Sequence, residues 1–281
     1  MKHRSKSPNP PRVAGTKAVA RALRIARTFT DARPEWTLAA LSRELGLSKP
    51  TALRLLAALE LDGMIVRDDT SGAYRLGPAA IELGARAQRS NSIASAARAE
   101  MEHLTRATGE TSSIEILSDD ETVILDEAQG GHLIGTSPSV GTRWPAHATS
   151  TGKVLLAAAL EQDPALLQKM AKRAGGKLRR LTPSTIVTPT RLATALARVS
   201  KQGYSTAIGE LEEGYVALGA PVRNHQGSIV AAISLGGPST RFTNSRIPRL
   251  ARLVREAADR ISQRLGWTPR SAAAASRAAS S

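Results

Sequence analysis

Two short helical patterns between Thr37 and Gly63 are separated by one glycine, Gly46. Thr37 is a candidate N-cap for a helix over Leu38–Leu45, and Gly46 suits its C-cap. Ser48 offers a second N-cap, and Pro50 is tolerated in the first turn of the next helix. Ala52, Leu55, Leu56 and Leu59 then recur at i, i+3, i+4 and i+7, one apolar stripe that Gly63 stops. Upstream, Lys17–Thr30 carries Ala22, Leu23, Ile25 and Ala26 before a break at Pro34. Downstream, MIVRDD, TSG and AYRL read as a hairpin with a glycine turn. Helix, helix, tight turn, helix, hairpin predicts a winged helix-turn-helix.

The stripe on the third helix packs inward, which leaves Lys49, Thr51, Leu53 and Arg54 on the other side near the helix start. That end of a recognition helix enters the major groove. Arginine can take guanine bidentately, threonine can bond a base edge or meet a thymine methyl, and lysine can hold phosphate. Arg67 and Arg75 on the hairpin are placed for backbone phosphates, and Arg43 and Ser48 complete the expected DNA contact set. A three-helix module used for protein contacts is the plainer alternative. Charge favours DNA: the chain is +15, and +8 of that lies in residues 1–91, where 16 Lys and Arg meet 8 Asp and Glu. Aromatics are 3% of the chain, too few for a single-strand stacking platform.

Beyond residue 92 the pattern changes. SSIEIL and TVILDEA flank a turn at Ser118–Glu121, and HLIGTS is a further candidate strand. YVALGAPVR, the turn NHQG and SIVAAISLGG form a second hairpin. Thr151–Leu160, Asp163–Ala174, Pro189–Gln202 and Phe242–Leu265 read as helices. The expected class is α+β, an antiparallel sheet with helices packed on it. The expected division is a disordered basic arm (1–15), the winged domain (16–77), a linker helix (78–92), the α+β domain (93–267) and a disordered tail (268–281).

The stretch HATSTGKV (147–154) resembles a phosphate-binding loop only at Gly-Lys. Such a loop needs a first glycine where His147 stands and a hydroxyl residue where Val154 stands, so a nucleotide-hydrolysing loop is excluded. Thr149, Ser150 and Thr151 lie where a loop becomes a helix, and free N–H groups there can bind an anion or simply be capped. Other chemistry is sparse. No cysteine is present, which removes thiolate nucleophiles, disulfides and sulfur-based zinc sites and fits a reducing compartment. The five histidines are scattered without metal-ligand spacing, and His225 in a turn is expected to be solvated. Glu210, Glu212 and Glu213 are expected to form a solvated or salt-bridged loop. No run reaches the roughly 18 apolar residues of a membrane span, and the basic N-terminus lacks a secretory apolar segment. A cytoplasmic protein without cofactor or metal is expected.

Taken together, RALRIA, LAALSRELGLSKPTALRLLAALELDGMIVRD and YRLGPAAIELG, then GTRWPAHATSTGKVLLA, LTPSTI and GYSTAIGELEEGYVALGAPVRNHQGSIVAAISLGGP, resemble the IclR-type bacterial transcriptional regulators over Lys17–Gly266. The resemblance implies a GAF-like effector domain, dimers or tetramers, and operator binding tuned by a small metabolite, often a carboxylate or an aromatic compound. It implies a pocket drawing on Ser150 and Thr151 at a helix start, on strand positions Ala207, Ala217, Ser234 and Gly236, and on apolar walls at Leu133, Trp144 and Tyr215. Relatives often carry Cys where Ala217 stands and can carry an acid at Ala207 and Ser at Gly236, so only Ser234 keeps a polar side chain among those four. A bulky or aromatic acid is therefore expected, its carboxylate at Ser150–Thr151 and its body against Trp144 and Tyr215. A GAF-like enzyme and a constitutive DNA-binding protein whose second domain only dimerises are the alternatives.

Overall fold

The computed structural model describes residues 16–30, 32–131 and 140–268. The expected arm (1–15), the tail beyond 268, and the candidate strand HLIGTS with Leu133 lie outside the described residues. The chain divides into two compact units between Ser90 and Asn91.

The first unit is a winged helix-turn-helix. Helices α1 (Lys17–Ala26), α2 (Leu38–Leu45) and α3 (Lys49–Leu61) precede strands β1 (Ile65–Arg67) and β2 (Tyr74–Leu76). The Thr37 hydroxyl caps α2 by accepting from the Ala40 N–H, and Gly46 ends it at φ +64°, a conformation glycine adopts without penalty. Ser48 sits at the α3 N-cap in extended conformation but makes no capping bond; its hydroxyl pairs with Thr51 Oγ1 at 2.8 Å instead. The stripe behaves as its spacing requires: Ala52 and Leu56 are buried, and Leu56 packs with Ile25, Leu41, Ile65, Tyr74 and Trp36. β1 and β2 pair antiparallel, Ile65 opposite Leu76. Asp68 Oδ1 shapes their turn by accepting from the N–H groups of Thr70 and Ser71. Trp36 exchanges backbone hydrogen bonds with Tyr74, so the segment before α2 runs beside the wing. Helix α4 (Pro78–Arg89) closes this unit, with Ile81 and Leu83 exposed.

The second unit opens with α5 (Ser92–Thr108), capped by Asn91, whose Oδ1 accepts from the N–H groups of Ile93 and Ala94. Strands β3 (Thr111–Ser118), β4 (Glu121–Ala128), β5 (Arg143–Pro145), β6 (Ser205–Ile208), β7 (Tyr215–Arg223) and β8 (Ile229–Pro238) form one antiparallel sheet. Its order is β5-β4-β3-β8-β7-β6. Helices α6 (Ser150–Gln162), α7 (Leu166–Arg173), α8 (Pro189–Gln202) and α9 (Ile247–Arg264) complete the unit. One sheet face, with Ile114, Val216, Leu218, Ile233 and Leu235, packs under α5 and α9. The other face meets Leu155, Leu156, Leu192 and Leu196 of α6 and α8. Two hydrophobic layers on opposite faces of one sheet make this the expected α+β architecture.

The β3–β4 ladder carries one irregularity. Ser113 pairs with Glu127 and Ile114 with Asp126, but Glu115 pairs with Ile124. Leu125 is therefore the extra residue of a β-bulge. Strict alternation from Ile124 would put Asp126 on the α6 side of the sheet. The bulge puts Glu127 there instead, level with Ser113.

Among the described residues, no helix is long and apolar enough to cross a membrane.

Candidate functional site

The first unit presents a basic face. Arg43, Ser48, Lys49, Leu53, Arg54, Arg67 and Arg75 are all exposed, and Thr51 is half-buried. Leu53 keeps 47% of its surface in solvent. The Arg67 guanidinium sits 5.8 Å from the centre of the Tyr74 ring, so the wing holds that cation in place. Arg43, Lys49 and Arg54 make no ion pair among the described residues. Cations left uncommitted on one surface suit a polyanion.

The second unit holds a narrow pocket between the sheet and the start of α6. Trp144, Ser150, Thr151, Ala207, Tyr215, Ala217 and Ser234 line it. Gly236 lies beneath the Tyr215 ring. The structure thus brings the expected positions together, Leu133 aside. It adds a set that sequence reasoning missed: Thr111, Ser113 and Glu115 of β3, Ile124 and Glu127 of β4, and Leu211. The β3 residues carry a faint sequence signal, since Ser113 and Glu115 alternate with Ile114 and Ile116.

These additions change the chemistry of the pocket. Among the described residues, two glutamates line it and no lysine or arginine does. Glu115 is buried, its Oε2 accepting from the Thr151 hydroxyl at 2.6 Å and its Oε1 from the Ser113 hydroxyl at 2.9 Å. Ser113 Oγ also lies 2.8 Å from Ser234 Oγ. Burial pushes the Glu115 carboxyl up from its ordinary range, against the pull of those hydrogen bonds. Glu127 is pushed up to about 7, chiefly by burial, with the neighbouring charges of Glu115 and Asp126 adding to it and the Gln129 side chain opposing it. Its Oε2 is buried without a hydrogen-bond partner among the described residues.

The Gly-Lys of HATSTGKV serves the fold. A Cβ at Gly152 would fall 2.1 Å from the carbonyl oxygen of Ala146, so only glycine lets the tight turn Ala146–Ala148 lie against α6. Lys153 is buried and reaches Glu210 Oε1 at 2.5 Å and the Thr206 carbonyl at 2.7 Å. Burial draws Lys153 down and Glu210 up, each opposed by the other's charge. Of the solvated or salt-bridged loop expected here, Glu210 is the salt-bridged member, whereas Glu212 and Glu213 are exposed. The Thr182 and Thr185 hydroxyls donate to the carbonyls of Gly209 and Glu210. Together these bonds hold the β6–β7 loop, which carries Leu211 to the pocket. Thr149 caps α6 by accepting from the Gly152 N–H. His147 is buried, its Nε2 2.9 Å from the Arg179 carbonyl, and burial lowers its pKa. His225 is exposed in its turn.

Comparisons with known proteins agree with this architecture. The model for the IclR helix-turn-helix domain matches residues 18–69, and that for the bacterial transcriptional regulator IclR C-terminal matches residues 85–263. The HTH-type transcriptional regulator XynR of Escherichia coli (strain K12) is 32% identical over 252 residues, 89% of this chain and 98% of that protein. An IclR transcriptional regulator from Alicyclobacillus acidocaldarius superposes with a TM-score of 0.77 at 28% identity, covering 89% of this chain and 98% of that one. An IclR homologue from Microbacterium hydrocarbonoxydans, solved with 4-hydroxybenzoate, gives 0.73 at 27% identity, covering 89% and 99%. The chain belongs to the IclR family of bacterial transcriptional regulators.

Proposed function

We propose that this chain is a sequence-specific DNA-binding regulator whose operator affinity is set by a small organic effector held in the α6 pocket. The observation that carries the reading is the exposed basic start of α3 on a winged helix-turn-helix, in a chain whose second unit has a built pocket. Arg54 reads a base edge, Lys49 and Arg43 hold phosphates at either side of the turn, and Arg67 and Arg75 hold them from the wing. Two such helices, from a homo-oligomer, span half-sites about one turn of DNA apart or a multiple of it. The protein acts where chromosomal DNA is, and the second unit binds without turning its ligand over.

The effector we propose is a bulky or aromatic acid. Its carboxylate meets the start of α6, where the N–H groups of Ser150 and Thr151 have no partner inside the helix. Its body lies against Trp144 and Tyr215. The 4-hydroxybenzoate in the Microbacterium relative supports this class. An effector that binds one arrangement of the two recognition helices better shifts the population toward it.

The test is fluorescence anisotropy with duplex DNA from the intergenic region beside the gene, against scrambled DNA at two salt concentrations. Tight, sequence-preferring binding that an aryl acid shifts is expected. Equal binding to both DNAs that vanishes with salt overturns the reading.

A further inference from the structure

The floor of the pocket is a closed chain of hydrogen bonds with one exception. The Ser113 hydroxyl has a single proton and gives it to Glu115 Oε1. Its contact with Ser234 is therefore donated by Ser234. Thr151 closes the other end on Glu115 Oε2. Every hydroxyl along this line is committed. Glu127 is level with Ser113 across the β3–β4 ladder, two residues or roughly 7 Å along the strand from the level of Glu115. It lines the same pocket, and among the described residues its Oε2 is buried without a hydrogen-bond partner and no lysine or arginine lines the pocket to neutralise it. A buried acceptor without a donor is costly, and a ligand that supplies the donor recovers that cost.

Resting on the reading that this pocket holds the effector, we infer that Glu127 is its specificity-determining residue: it accepts a hydrogen bond from a hydroxyl or ammonium group that the ligand carries away from its carboxylate. The four family positions of the strands, with Ser234 alone polar, suggested an apolar ligand body. Glu127 adds a polar requirement at one place on it. A plain aryl acid leaves Oε2 unsatisfied, and an aryl acid with a donor in reach does not. The β-bulge at Leu125 is what makes this possible, since without it Asp126 would take that face and Glu127 would leave the pocket.

Three probes share a ring and a carboxylate and differ only in the second substituent: benzoate, 4-hydroxybenzoate and 4-(aminomethyl)benzoate. Calorimetric titration of the full chain should show at least one donor-bearing probe binding about tenfold or more tighter than benzoate, a difference of about 1.4 kcal/mol. Glu127→Leu should bring all three to within about twofold of one another. Glu127→Gln keeps an acceptor oxygen and loses the charge. It should therefore preserve a preference for the hydroxyl and abolish one for the ammonium, which tells the two donors apart. The near-isosteric Gln variant also guards against a Leu variant that fails to fold. Equal affinity of the wild type for all three probes, no binding of any, or a preference that survives in Glu127→Leu each overturns the inference. Operator binding by the same preparations separates the two readings. Selective DNA binding without donor preference sinks the role of Glu127 alone, and non-selective DNA binding sinks the regulator.

Discussion

A Cβ placed on Gly236 would lie 2.0 Å from the hydroxyl oxygen of Tyr215 and 2.7 Å from its ring carbon Cζ. The two residues sit on neighbouring strands near the end of the β7–β8 ladder, Tyr215 opposite Pro238 and Gly236 opposite Ala217. The ring occupies the space a side chain at 236 would need. The missing side chain at 236 and the aromatic at 215 are thus one feature of the pocket wall.

Gly236→Ala should therefore cost about 1–3 kcal/mol, the usual penalty of overpacking. Chemical denaturation checks it, and a double-mutant cycle assigns it. In a Tyr215→Ala background the same substitution should cost almost nothing. An equal cost in both backgrounds would show that the Tyr215 ring is not what the methyl meets.

Lys153→Met should destabilise the second unit by about 3–5 kcal/mol, because it leaves Glu210 buried without its cation. The side chains are 4% and 11% exposed, so water does little to screen the loss. Replacing Glu210 by Met as well should recover most of the stability, since two apolar groups leave no unpaired charge. Urea titrations of the two single variants and the double variant decide this.

Arg54→Ala should weaken operator binding by about 1–3 kcal/mol and relax preference at one base position. Arg75→Ala should instead weaken all sequences alike and lower the salt slope by about one. Anisotropy titrations over single-base operator variants at several salt concentrations distinguish the two patterns.

Glu127 makes stability depend on pH in a definite sense. Its pKa rises from an ordinary 4.5 to about 7 in the folded chain, so between those values the folded state holds more proton than the unfolded state. Its stabilising contribution is full below about pH 4.5 and is lost as pH rises through about 7. Because the group is partly exposed, screening reduces the effect to about 1–2 kcal/mol at most. The Tm of the wild type should fall over this window more than that of Glu127→Gln. Parallel curves would mean that Glu127 titrates near its ordinary value.

The helix-turn-helix was legible because its signals are local. Thr37, Gly46 and the stripe from Ala52 to Leu59 act within a few residues of themselves, and the structure places α2 and α3 within their expected bounds. The β7–β8 hairpin and α8 were legible for the same reason. Ser48 differed because Thr51, one turn on, competed for its hydroxyl. Short strand β5 escaped notice, and β6 was implied only by the family resemblance at Ala207: three and four residues carry too little periodicity to register.

The pocket divides along the same line. Sequence alone determined the family, the two-part architecture, and the start of α6 with its hydroxyl residues, since caps, periods and motifs depend on neighbours in the chain. Tertiary structure decided the polarity of the site. Lys153 found Glu210, 57 residues away, and Thr151 found Glu115, 36 residues away. A single extra residue at Leu125 turned Glu127 rather than Asp126 toward the ligand space. Such outcomes come from strand register and burial, which couple distant residues through desolvation, and no local pattern encodes which two distant groups must share one dry space.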